Sequence, residues 1–262
     1  MQRSFNTRAV ILQKRPIGEN DVSITLYCQS LGKIQAIAKG ARKIASHWSG
    51  HLEPLNLCKI QLYKSTTWFT ITQCQIEQNF NNIYKSVETL TCAMLILEIF
   101  QKSTCDLEHS MELFDLIWET FHRLNLSYPA FLALERFKLQ LLKLNGALPN
   151  VATCAFCRQR WNALSNIWLD PNGHLSCDKC RETDNVRAGN SLALNLRPCN
   201  RISFEIIKLI CYLLGKNQPK NIKIHISSSQ KQQLQLITHT FLQHFINREI
   251  IGEKIHAKMA GG

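Results

Sequence analysis

The chain has 262 residues, 45% of them hydrophobic, which is enough to bury a sizeable core and excludes a disordered polymer. It carries 31 Lys and Arg against 19 Asp and Glu, a formal charge of +12. No run of about 18 apolar residues is present, and the start lacks the apolar stretch of a secretory signal, so a cytoplasmic protein without membrane-spanning helices is expected. Eleven cysteines, an odd number set mostly in apolar surroundings, fit a reducing compartment and not a disulfide framework.

The charge is unevenly spread. Residues 1–80 hold ten cations and four anions, residues 81–150 six and eight, and residues 151–262 fifteen and seven. Two basic ends around a neutral middle suit a partner with extended negative charge, nucleic acid first.

The first eighty residues read as strands. Residues 8–14 form the first; Val22, Ile24, Leu26 and Cys28 alternate with polar neighbours, and Ile34, Ala36 and Ala38 continue after the turn Ser30-Leu31-Gly32. Cys58, Ile60 and Leu62 make a fourth strand and Trp68 to Ile76 a fifth. Five strands with a longer insert at 40–54 match an OB-fold barrel, although an SH3-like barrel or an open sheet has the same strand count.

Near residue 84 the period becomes helical. Leu90, Met94 and Leu97 predict one face of a helix over 86–101. Leu113, Ile117, Phe121 and Leu124 do so over 111–126, and Phe131, Leu134, Phe137, Leu141 and Leu144 over 130–145. Arg136, Gln140 and Lys143 lie opposite that last stripe, and Gly146 and Pro149 end the helix. Further on, Phe204, Ile207, Ile210 and Leu214 predict a helix, as do Leu234, Ile237, Phe241 and Phe245 behind a cap at Ser227 to Ser229. Ala260-Gly261-Gly262 should fray.

Cys154-x-x-Cys157 and Cys177-x-x-Cys180 are separated by residues 158–176. Each tight loop presents two thiolates to one point, and a returning hairpin brings the pairs together as a tetrahedral zinc site. Four cysteines complete the shell without His174, which leaves no position for a catalytic water, so the zinc is read as structural.

Lys39-Gly40-Ala41-Arg42-Lys43 follows the third strand, a close turn with three cations suited to tracking phosphates, and Lys14, Arg15 and Lys33 extend the patch. Trp48 and Trp68, with Tyr27 and Tyr63, are offered as stacking partners for unpaired bases. Glu19 and Asp21 are the one close acidic pair here, read as holding a turn and not a metal.

These residues resemble the RecO family of bacterial recombination mediators. The likeness rests on Ala9-Val10-Ile11-Leu12, Gly18-Glu19-Asn20-Asp21, Leu31-Gly32-Lys33-Ile34, Ala38 to Lys43, Leu52-Glu53-Pro54-Leu55, Gly146-x-x-Pro149 and the two cysteine pairs, over roughly residues 7–180. Two departures stand out: Arg158 follows the first pair where the family commonly has glycine, and Gly173 alone precedes the second pair. The resemblance implies an α+β multidomain chain: an OB-fold β-barrel over 1–80, a helical domain over 81–150 and 186–262, and an inserted four-cysteine zinc module over 151–185. It implies a non-enzyme that binds single- and double-stranded DNA, anneals complementary strands and, with RecR, helps load RecA onto DNA coated by single-stranded-DNA-binding protein. For the acidic tail of that coating protein, Arg123, Arg136, Lys138 and Lys143 are the expected contacts. The rival readings are a zinc-ribbon adaptor for RNA or transcription, and a metal-dependent nuclease. No G-x-x-x-x-G-K-[ST] loop or H-E-x-x-H motif is present.

Overall fold

A computed structural model describes residues 3–44, 46, 48, 50–187, 199–215 and 225–246. The expected fraying at Ala260-Gly261-Gly262 lies outside them. Two units emerge, one built from residues up to Ala133 and the other from Leu134 to Glu249.

The first unit opens with five strands: β1 (Ser4–Ile17), β2 (Asp21–Cys28), β3 (Gly32–Ala38), β4 (Leu57–Lys64) and β5 (Phe69–Gln78). They close into a barrel in the order β1-β2-β3-β5-β4. β1 is twice the length predicted because it serves two neighbours. Ser4 to Val10 pair with β4, Ala9 to Ile17 pair with β2, and a register shift between Ile11 and Gln13 turns the strand from one to the other. A short parallel pairing, Ala36 with Phe69 and Ile37 with Thr70, seals the barrel. Alternation sends Ile11, Ile24, Leu26, Ile34, Ile60, Leu62 and Ile71 inward, each burial contributing about 1.5–3 kcal/mol. The Leu52-Glu53-Pro54-Leu55 segment patches the β1 edge. Leu55 N–H donates to the Ile11 carbonyl at 3.1 Å, and Ile11 N–H to the Asn56 carbonyl at 3.0 Å.

A 3-10 turn, Asn81–Lys85, leads into α1 (Val87–Ser103) and α2 (Met111–Asn125), whose first turns are capped by the Ser86 and Ser110 hydroxyls. α1 corrects one expectation. Leu97 is buried as expected, but the core side runs through Cys92, Ala93, Leu95, Ile96, Ile99 and Phe100, and Met94 is 47% exposed. The run Met94-Leu95-Ile96-Leu97 offers several apolar stripes, so periodicity alone does not choose the buried one.

α3 (Ala130–Leu144) ends at Gly146, whose φ of +67° and the Ala147 N–H to Leu142 carbonyl bond of 2.8 Å form a left-handed helix stop. The second unit adds a three-stranded sheet ordered β7-β6-β8, from β6 (Ile167–Leu169), β7 (Leu175–Ser176) and β8 (Asn200–Ile202). α4 (Asp178–Arg187) follows β7, and α5 (Phe204–Leu213) and α6 (Ser228–Ile246) complete the described helices. Gln230 N–H donates to the Ser227 hydroxyl, as its capping position predicts.

Candidate nucleic-acid face and cysteine metal centre

The basic loop is fastened to the barrel at one end. Gly40 N–H donates to Asp21 Oδ1 at 2.8 Å, Arg42 N–H to the Asn20 carbonyl at 2.9 Å, and Arg42 Nη1 to the Gly18 carbonyl at 2.9 Å. Asp21 is therefore a turn fastener, as its pairing with Glu19 suggested. Gly40, at φ +65°, takes the left-handed turn this docking requires. Lys39, Arg42 and Lys43 remain exposed, and Arg15, opposite Ser23 on β2, is exposed near the same end. Register extends this surface across the sheet. The row Arg15, Ser23, Ile37, Thr70 and Tyr63 runs over the outer face of all five strands, with exposed Trp68 just before β5.

Other expected members sit elsewhere. Lys14 is half-buried and ion-paired with Glu53 at 2.6 Å. Lys33 is largely buried, and its ammonium donates to the Gln101 and Thr104 carbonyls and pairs with Asp106. Tyr27 is buried edge-on against Phe100, with its hydroxyl at Ser110. Both lie at the barrel end that α1 and α2 cover. Trp48 is only 5% exposed and its indole N–H donates to the Lys39 carbonyl, so it packs and presents no face to solvent, whereas Trp68 is 54% exposed.

The helical cations divide similarly. Arg123 is buried, paired with Glu119 at 2.6 Å and set over the Tyr128 ring. Arg136 is buried and donates to the Leu213 and Gly215 carbonyls. Lys138 is 1% exposed and paired with Glu135 at 3.2 Å. Lys143 alone of the four is exposed. An isolated cation in a helical pattern reads as solvated surface, and only tertiary packing reveals the other three as interior anchors.

The four paired cysteines do converge. Cys154 and Cys157 sit in a tight turn, Cys177 directly follows β7, and Cys180 lies in the first turn of α4. The β6–β7 hairpin returns the second pair to the first, and Ala155 N–H ties the first turn to the Leu175 carbonyl at 2.8 Å. All four sulfurs lie within 4.8 Å of one another, with Cys157 and Cys177 3.8 Å apart, so the quartet can hold a metal ion. His174 is outside it, paired with Asp170 at 3.0 Å. Burial opposes ionising Cys154, but the N–H groups of Cys157, Cys177 and Phe156 outweigh it and bring the thiol down to about 7. Desolvation and the neighbouring thiols push Cys180 up to about 12. The Cys154 proton leaves easily while burial makes Cys177 and Cys180 resist, and a bound cation would favour the thiolate form of these sulfurs.

Behind the quartet stands a brace that the cysteine spacing does not predict. Asp178 accepts from Trp168 Nε1 at 2.6 Å and Asn166 Nδ2 at 2.7 Å, and these bonds hold its carboxyl below its ordinary range. The Arg181 guanidinium stacks 3.9 Å over the Trp168 ring. An acid immediately after Cys177, at a helix start, is the one signal of it in the sequence.

Two further observations bear on ancestry. Residues 1–80 match the family described as Recombination protein O N terminal, and residues 85–250 that described as Recombination protein O C terminal. The chain belongs to the RecO family. The joint between the matched segments falls at the 3-10 turn after the barrel. A DNA repair protein RecO from Dehalococcoides mccartyi is 27% identical over 94% of this chain and 92% of its own length. One from Alkaliphilus metalliredigens is 26% identical over 93% and 94%. A third, from Caldanaerobacter subterraneus, is 23% identical over 98% and 99%. The closed five-strand barrel followed by helices is the OB-like, mixed α and β architecture the family resemblance implied. No described helix is long and apolar enough to cross a membrane.

Proposed function

We propose that this RecO family protein is a non-catalytic cytoplasmic mediator of DNA repair. It binds single- and double-stranded DNA on the outer face of its barrel and anneals complementary strands. With RecR, it loads RecA onto DNA coated by single-stranded-DNA-binding protein. The docking of residues 40–43 onto the β1–β2 turn carries this reading, because it gathers Arg15, Lys39, Arg42 and Lys43 around one end of the barrel. Trp68, with Tyr63 on the same outer face, supplies an aromatic surface for unpaired bases, each stack contributing about 1–3 kcal/mol. Cations placed along both strands screen phosphate repulsion while base edges stay free to pair, a process that needs no nucleotide hydrolysis. Lys143 is the exposed helical cation left to meet the acidic tail of the coating protein.

The cysteine quartet supports a structural zinc. A tetrahedron of sulfurs about 2.3 Å from zinc has edges of about 3.8 Å, which the Cys157–Cys177 separation matches at 3.8 Å. Bound there, zinc would supply cross-linking of the two cysteine loops; the chain's own residues fill all four positions.

The test is annealing of labelled complementary oligonucleotides, bare and coated, without ATP. The intact protein is expected to anneal them with a steep loss in salt. Replacing Lys39, Arg42 and Lys43 together by Ala should weaken binding and flatten the salt slope by up to about 2–3, since each phosphate contact contributes about 0.7–0.9. Unchanged binding in that variant would remove the barrel face from the reading.

A further inference from the structure

We infer that the turn bearing the first cysteine pair is a second contact for single-stranded DNA, made by Phe156 and Arg158. This deepens the DNA-repair reading and rests on it. Phe156, between two cysteines of the quartet, is 45% exposed. Its ring centroid lies 5.7 Å from that of His174, so two rings stand together at the surface.

Arg158 adds an independent observation. It closes the turn by donating its N–H to the Cys154 carbonyl at 3.0 Å, and it does so at φ +61°, the left-handed region that glycine enters without strain. An arginine kept in that conformation works against the fold locally, and such an outlier points to a role for its side chain. The guanidinium of Arg158 is exposed, as is that of Arg160 two residues on, and neither has a carboxylate within ion-pair distance among the described residues. Asp170, the acid beside His174, is engaged by that residue's backbone N–H and ring.

An exposed ring and two exposed arginines without an ion-pair partner among the described residues, all within five positions of one turn, have the chemistry of a base-stacking and phosphate contact. An acidic peptide would use the arginines but has no need of the paired rings. Single-stranded DNA uses both.

The test uses the full metal-loaded chain, a labelled oligothymidylate, and the variants Arg158→Gly and Phe156→Ala. Arg158→Gly removes strain, so its melting temperature should equal or exceed the parent's, which separates lost contact from lost fold. Its affinity should fall about three- to tenfold and its salt slope by about 0.7. Phe156→Ala should weaken binding about five- to tenfold. Affinities within twofold of the parent in both variants overturn the inference, as does loss of binding to a labelled acidic peptide with the oligonucleotide unaffected. The triple Ala variant of Lys39, Arg42 and Lys43 is measured alongside. If it alone loses affinity, this inference fails and the barrel face stands; if only the turn variants lose it, the barrel reading fails instead.

Discussion

Gly32 shows how one residue can join two distant parts of the chain. Its φ is +69°, and a Cβ added there would lie 2.2 Å from the Glu108 carbonyl oxygen and 2.8 Å from the His109 nitrogen. Both are backbone atoms, so no side chain can swing aside. Gly32→Ala combines left-handed strain of about 1–2 kcal/mol with overpacking of about 1–3 kcal/mol, and urea unfolding is expected to show a loss of about 2–5 kcal/mol. Gly18, at φ +55° with nothing within 4 Å of an added methyl, should lose only the strain on the same change. Equal losses at the two positions would remove the close approach as the cause. The turn at Ser30-Leu31-Gly32 is legible in the sequence because turn chemistry is local. The approach of residue 108 is not, since nothing near Gly32 in sequence encodes it. Lys33 and Trp48 depart from expectation for the same reason: type and spacing reveal a cation or a ring, and only packing reveals what it touches.

Strands are more legible than helix faces. Period-two alternation fixes which side of β2, β3 and β4 is buried, whereas α1 is apolar on several sides and α3 conceals charges in its interior. Glu135 and Lys138 on α3 are both about 1% exposed, 3.2 Å apart, and Thr238 of α6 donates its hydroxyl to the second Glu135 oxygen. A buried pair of this kind specifies packing more than it stabilises, because desolvation offsets much of the attraction. Lys138→Met should therefore cost about 3–5 kcal/mol by leaving the Glu135 carboxylate uncompensated. Glu135→Leu combined with Lys138→Met should recover most of that loss in chemical denaturation. A double variant as unstable as the sum of its singles would show that the pair itself, and not the orphaned charge, carries the stability.

At the scale of the whole molecule, two pieces of architecture draw on different sources of stability. The barrel rests on a continuous apolar cluster running from Ala9 to Ile71, while the cysteine module has two- and three-residue strands and a small apolar interior around Ile167, Leu169 and Leu175. The quartet is legible because each metal loop needs only two cysteines three positions apart, a signal that survives without knowledge of the fold. The barrel's outer face is legible only in part, because exposure at Arg15, Lys39 and Trp68 follows from strand register. This difference makes the response to metal removal uneven. Metal affinity in such modules is folding free energy, about 10–16 kcal/mol in small peptides, and it requires every sulfur deprotonated. Cys154→Ser, or a strong chelator on the parent, should abolish stoichiometric zinc and raise amide exchange across residues 151–182. Protection in β1 to β5 should stay at parent levels. Acidification should act like the chelator, since protons compete with the metal for the four sulfurs. Full zinc retention in Cys154→Ser, or barrel amides exchanging as fast as those of the module, would mean that the quartet does not brace this segment and that its stability comes from the Asp178, Trp168 and Arg181 cluster behind it.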